Sequence, residues 1–196
     1  MGHSGRWEKA TITVTDTTIA LAGKIGSGKS SVASLLAERL GGYQISFSSV
    51  VRKLARERDL VEERAVLQML GDELISQGWD AFCTAVLEQA PGAPVVIDGV
   101  RHTGAVSSLR KLIDPARLVV VYIEVPESVR MERLLGRGLT SEQVAAGDRH
   151  PNEAELPVVK SSADIIVRND RALVETVNEV MSRTQPGLTG DPNTAS

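Results

Sequence analysis

Apolar residues along this chain fall into two kinds of run that alternate. Short unbroken runs appear at TIALA (residues 18–22), PVVID (94–98) and LVVVYIEV (118–125), with YQISF (43–47) and ADIIV (163–167) as weaker members. Unbroken apolar runs of this length suit strands buried on both faces, whereas half-exposed strands alternate. Between them the spacing changes to that of a helix. KSSVASLLAERL places Val32, Leu35, Leu36 and Leu40 on one face, and Gly41 and Gly42 end it. Residues 48–90 read as a long helical block, broken near Arg58-Asp59-Leu60 and near Gly78. RALVETVNEVMSR gives a last helix with Leu173, Val174, Val177, Val180 and Met181 on one stripe.

Strand and helix in regular alternation predict an α/β architecture: a five-stranded parallel sheet with helices on both faces. A ligand is then expected at the carboxyl ends of the strands. The domain spans residues 17–183. Residues 1–16 read as a polar arm with an extra strand at TITV (11–14), and residues 184–196, rich in turn formers, read as a disordered tail.

Composition narrows the function classes. Lys plus Arg total 22 against 25 Asp plus Glu, a net charge of −3, which argues against a domain that wraps nucleic acid. No apolar run approaches the roughly 20 residues of a membrane span, and the N-terminus lacks the apolar centre of a signal peptide. One cysteine, Cys83, allows no internal disulfide. A cytoplasmic protein without membrane or nucleic-acid partners, monomeric or homodimeric, is expected.

The chemistry begins after the first strand. Gly23-Lys24-Ile25-Gly26-Ser27-Gly28-Lys29-Ser30 matches G-x-x-x-x-G-K-[ST] in full and opens a helix. Glycines let successive N–H groups turn inward onto phosphate oxygens, and the helix N-terminus adds positive potential. Gly23, Gly26, Ser27, Gly28, Lys29, Ser30 and Ser31 therefore form the expected donor-binding set. Lys29 reaches the β and γ phosphates of ATP, and Ser30 faces Mg²⁺.

A GTPase switch would need N-K-x-D, which is absent, and a motor ATPase would place Asp-Glu at a strand end. Here the strand ends Asp98-Gly99. Asp98 sits where a carboxylate can orient Mg²⁺ or accept a proton, and Arg101 can clamp a phosphoryl group. Glu124 ends the other central strand and reads simply as its last residue. Farther on, Arg130, Arg133 and Arg137 recur at about helical spacing before a capping-box start at Thr140 and Gln143. Arg133 and Arg137 are the expected arginines of a mobile flap over the transfer.

These parts resemble the small P-loop kinases of the nucleoside monophosphate kinase group over roughly residues 17–183. The resemblance implies a three-layer P-loop fold with a helical acceptor-binding insertion (about 47–90) and a small lid (about 130–155). It also implies that Asn169 and Asp170, in ADIIVRND, lie near the donor adenine. GKIGSGKSS and SADIIVRND look like dephospho-coenzyme A kinase, which carries an acid after strand two where this chain reads SFSSVV. VLQMLGDELISQGWDAF and DGVRH instead resemble deoxynucleoside monophosphate kinases. A phosphate acceptor is already largely ionised at neutral pH and needs no strong base, which favours a nucleotide phosphate over a sugar hydroxyl. A nucleotide-binding regulatory ATPase is the reading from another class.

For the acceptor, Arg64, Gln68 and Asp72 recur every four residues as one polar stripe, with Gly71 allowing close approach. Arg52 is a further phosphate-clamp candidate. Phe47 and Trp79 suit either stacking on a base or the core. His102 and His150 read as surface or supporting groups. With no cluster of metal-binding side chains, the cation is expected to be Mg²⁺ arriving with the nucleotide.

Overall fold

Strand β1 (Thr17–Ala22) shows why the apolar runs are unbroken: its two faces feed different cores. Ile19 and Leu21 pack in one cluster with Val32 and Leu36, while Ala20 and Ala22 pack in the other with Ile45 and Phe82. The computed structural model describes residues 17–184, so the N-terminal arm, its TITV strand and residues 185–196 lie outside the described residues. Strands β2 (Tyr43–Ser46), β3 (Val95–Val100), β4 (Arg117–Glu124) and β5 (Ile165–Arg168) complete a five-stranded sheet in the order β2-β3-β1-β4-β5, every pairing parallel. The expected architecture is the observed one.

Helix α1 (Lys29–Leu40) ends as its glycines require: Gly41 is left-handed, and the N–H groups of Gly41 and Gly42 return to Glu38 and Ala37 carbonyls. It shares a sheet face with α9 (Leu173–Thr184). The stripe on α9 is narrower than its spacing suggests. Val177 and Val180 are buried and Leu173 and Met181 partly so, but Val174 is exposed. Thr176 takes the buried place instead, with its hydroxyl bonded to Asn169. Thr184, assigned to the tail from sequence, is the buried last residue of α9 and donates to the Val180 carbonyl at 2.8 Å.

The opposite face carries α2 (Phe47–Glu57), α3 (Arg64–Ser76), α4 (Trp79–Leu87) and α5 (Thr103–Ile113). The helical block breaks where the sequence indicated, between Glu57 and Arg64 and at Gly78. Serines replace the acid sought after β2: Ser46 Oγ accepts from the Ser49 N–H and caps α2.

After β4 come α6 (Glu127–Leu135) and α7 (Ser141–Asp148), the latter opened by a complete Thr140–Gln143 capping box. A single 3₁₀ turn (Pro151–Glu153) and α8 (Leu156–Ser161) lead into β5. None of the described helices is long and apolar enough to cross a membrane.

Glu155 ties this segment to α5. Its carboxylate accepts from the Thr103 N–H at 2.9 Å, the Thr103 hydroxyl at 2.8 Å and His102 Nδ1 at 3.1 Å. These hydrogen bonds, the Thr103 N–H first, pull its pKa down to about 2. A depressed carboxylate contributes stability that is present above its ordinary pKa of 4.5 and disappears as pH falls towards 2. The side chain is 44% exposed, so screening holds the contribution to about 1 kcal/mol. Glu155→Gln should lower Tm at neutral pH by about 2–4 °C. Thermal melts across pH should show the difference from the native chain closing below the ordinary carboxylate range.

Candidate functional site

The segment between β1 and α1 turns tightly enough that its glycines have no substitutes. Gly28, at φ +85° as the α1 N-cap, would put a Cβ 2.3 Å from Asn169 Nδ2. Gly23 would put one 2.4 Å from the Ile123 carbonyl oxygen. The loop is braced from outside. Asn169 Nδ2 donates to the Ser27 carbonyl at 2.7 Å, and Arg133 Nη2 donates to the Asn169 carbonyl at 2.8 Å. Arg130, 2% exposed, donates to the Ile25 carbonyl at 3.2 Å while its other donors meet Glu127 and Asp148. Removing Cβ at Gly26 makes room for Leu134 and Arg130 of α6 to pack on the loop.

Lys29 is 8% exposed at the start of α1. Burial, then the neighbouring Arg101, pushes its ammonium down to about 8; Asp98 and Glu153 oppose this, and Arg137 adds to it. Asp98 stands opposite Leu21 where the β1–β3 register slips past Gly99, and its buried Oδ1 has no hydrogen-bond partner. Arg101 leaves β3 and pairs through Nη1 with the buried carboxylate of Glu153.

Lys29, Ser30, Asp98, Arg101 and Glu153 all line one cavity of about 530 Å³. Its far wall is aromatic: Phe47 and Phe82 meet edge to face at 5.0 Å, and Trp79 stacks on Phe82 at 6.2 Å. Arg52, Arg64 and Gln68 line it too. Asp72 does not; it is exposed, and Gly71 and Ile75 take its place. At 3.6 residues per turn, a four-residue step drifts about 40° around the helix, so two steps carry Asp72 off the face that Arg64 begins. Arg52 meets Glu62, which also lines the cavity, at 3.6 Å.

The remaining expected residues spread wider. Ser31 is exposed on a separate shallow groove beside Leu173, which Ser30 also borders. Asn169 is buried, with its amide nitrogen on Ser27 and its oxygen accepting from Thr176, so it supports the loop from behind. Asp170 pairs with Arg168 at 2.6 Å. Arg133 is bound to backbone carbonyls, while Arg137 is exposed and its charge reaches Lys29. Glu124 is held by Lys160 at 2.6 Å. His102 lies against Trp79, 5.0 Å between rings, and His150 lines the cavity. Among the described residues no cluster of His, Cys, Asp or Glu could hold a metal by itself. Sequence reasoning missed Glu153, the burial of Arg130 and its pairing with Asp148. The only local trace is the Glu127–Arg130 pair, one turn apart.

The residues fit a nucleotide polyphosphate. A glycine-shaped loop at a helix N-terminus, a buried ammonium, and unpartnered oxygens on Ser27 and Asp98 supply what phosphates and a hydrated cation require. Phosphates opposite Lys29 favour its charged form, so nucleotide binding should take up a proton where the free group has begun to deprotonate. Affinity should therefore fall as pH rises above about 8, by at most about tenfold per pH unit. Calorimetry at about pH 9 in buffers of differing ionisation enthalpy should register that uptake, and Lys29→Met should abolish it.

Comparison with known proteins bears on family and fold. The model of a family described as AAA domain matches residues 19–155. A UPF0200 protein of Pyrobaculum aerophilum is 30% identical over 171 residues, covering 84% of this chain and 94% of its own length. A UPF0200 protein of Methanothrix thermoacetophila is 36% identical over 122 residues, 61% of this chain and 65% of that one. Among solved structures, TT1252 from Thermus thermophilus superposes with a TM-score of 0.61 at 19% identity, covering 90% of this chain and all of that one. A shikimate kinase from Aquifex aeolicus gives 0.52 at 22% identity, covering 88% and 99%. A gluconokinase from Sinorhizobium meliloti gives 0.51 at 18%, covering 87% and 93%. At such identities the solved structures speak for the fold, a P-loop kinase fold; the sequence relatives speak for descent, and by them the chain belongs to the AAA domain family and to the UPF0200 proteins.

Proposed function

We propose that the chain is an ATP- and Mg²⁺-dependent phosphotransferase acting on a small anionic acceptor, with nucleoside or deoxynucleoside monophosphates as the acceptor class. The observation that carries this reading is the single cavity that joins Lys29, Asp98 and Arg101 to an aromatic wall. A hydrolase needs room for one water beside the γ-phosphate. Here the space continues to Phe47, Trp79 and Phe82, which suit a planar ring, with Arg52 and Arg64 nearby for an anion.

Bound Mg²⁺·ATP supplies the transferable phosphoryl group and a divalent charge shared among its oxygens. The loop N–H groups and Lys29 would hold the phosphates, and Ser30 and Asp98 would face the cation. Arg101 grips the acceptor phosphate and keeps its oxygen in line. That oxygen bonds to the γ phosphorus as the bond to the β–γ bridging oxygen breaks, and ADP leaves. A phosphate dianion brings no proton, so no general base is required. Arg137, whose charge reaches Lys29, would offset charge at the transfer, while Arg133 would serve by bracing the loop.

One observation favours a second acceptor chemistry. The unpartnered Asp98 Oδ1 is a carboxylate able to take a proton from an attacking hydroxyl. Solved neighbours that are a shikimate kinase and a gluconokinase lend that reading support from fold alone.

Incubation with Mg²⁺·ATP and a panel of nucleotides, dephospho-coenzyme A and sugar or polyol acceptors, read by mass spectrometry, separates these readings. Transfer to a monophosphate is expected, falling about 10²–10³-fold in Lys29→Ala. Transfer confined to hydroxyl acceptors, with Asp98→Asn inactive, would select the second chemistry. ADP formation indifferent to every acceptor would point instead to a regulatory ATPase.

A further inference from the structure

The buried pair between Arg101 and Glu153 joins two stretches 52 residues apart. Arg101 follows β3, beside Asp98. Glu153 closes the 3₁₀ turn behind α7. The pair is lopsided: the Glu153 side chain is 5% exposed, while that of Arg101 is 28% exposed and opens on the cavity. Among the described residues Arg101 makes one hydrogen bond, through Nη1, so its other N–H groups stay available. Glu153 Oε2 is buried with no partner.

Stability alone is a poor account of such an arrangement. A buried carboxylate with one oxygen unmet costs free energy that an apolar pair of similar volume would avoid. A fork held at one tip, with its remaining donors facing a cavity, is instead an orientation device.

We propose that Glu153 positions Arg101, holding the guanidinium by one nitrogen so that its free edge meets the anionic group of the phosphoryl acceptor. Glu153 belongs to the segment that Asp148 and Arg130 tie to the phosphate loop. The acceptor clamp is therefore assembled only when the polypeptide behind α7 is docked. Grip on the acceptor depends on the placement of a stretch remote from it in sequence.

This inference rests on the phosphotransferase reading, and its test is chosen to survive failure of that reading. Inorganic phosphate is titrated calorimetrically into the full chain saturated with a non-hydrolysable ATP analogue and Mg²⁺, which needs no turnover. The expected result is phosphate binding that Arg101→Met abolishes and Glu153→Ala weakens about tenfold, the loss of one charge-assisted contact. Glu153→Gln, which keeps the shape and a hydrogen-bond acceptor for Arg101, should recover part of the loss. The double variant Glu153→Ala/Arg101→Met should bind no worse than Arg101→Met, because Glu153 acts through that arginine. With an active acceptor in hand, Glu153→Ala should raise the KM for that acceptor by a similar factor and the KM for ATP by less, since Glu153 also supports the charge on Lys29. A lower Tm in both Glu153 variants with phosphate affinity unchanged would make the pair structural and overturn the proposal. So would native protein that binds no phosphate. Phosphate results as expected, with no acceptor phosphorylated, would overturn the phosphotransferase reading alone.

Discussion

A buried ammonium beside two arginines is the constraint around which this molecule is arranged. Lys29 is almost wholly shielded from water, and Arg101 and Arg137 both act to discharge it. Asp98 and Glu153 act in the opposite sense, so the charge stands in a field balanced by groups from three separate parts of the chain. Burying such a charge is costly, and groups perturbed in this way cluster at functional sites. The sheet order supplies the means. With β1 central and β3 and β4 on either side, the loop after β1, Asp98 near the end of β3 with Arg101 just past it, and the helices after β4 all converge at one edge.

Holding the phosphate loop in shape is work shared by side chains that need not touch a ligand. Asn169 and Arg133 donate to the Ser27 carbonyl, and Arg130 donates to that of Ile25. Arg130 illustrates the difference between charge and role. It is fully ionised, almost completely buried, and engaged on every side, so it behaves as a fastener between the loop, Glu127 and Asp148.

Much of this was legible in the sequence, and the missed pairings share a cause. Unbroken apolar runs revealed the strands because burial on both faces leaves no room for alternation. The breaks at Arg58–Leu60 and Gly78, the glycine stop after Leu40 and the Thr140–Gln143 box are local devices with local signatures. That Lys29, Ser30, Asp98 and Arg101 would share one cavity was legible because a strand end fixes where a side chain goes. Glu153 with Arg101, Asp148 with Arg130, and Asn169 with Ser27 were not, since each pairing spans 18 to 142 residues and leaves no periodic trace. Asp72 failed for a geometric reason, as a strict four-residue repeat walks around a helix. Val174 failed because apolar character at the edge of a stripe does not by itself ensure burial.

The stretch from Asp148 to Glu155 presses three carboxylates onto three different supports: Arg130 on α6, Arg101 beyond β3, and the Thr103 end of α5. In mechanical terms it is a three-footed mount. Two feet would leave the segment free to pivot about the line between them; the third removes that freedom. Loss of any one foot would thus not release the segment but give it an axis, and the axis would differ with the foot removed. Three carboxylates of one charge type, at different depths and on different partners, can in this way decide not whether the segment moves but in which direction it turns.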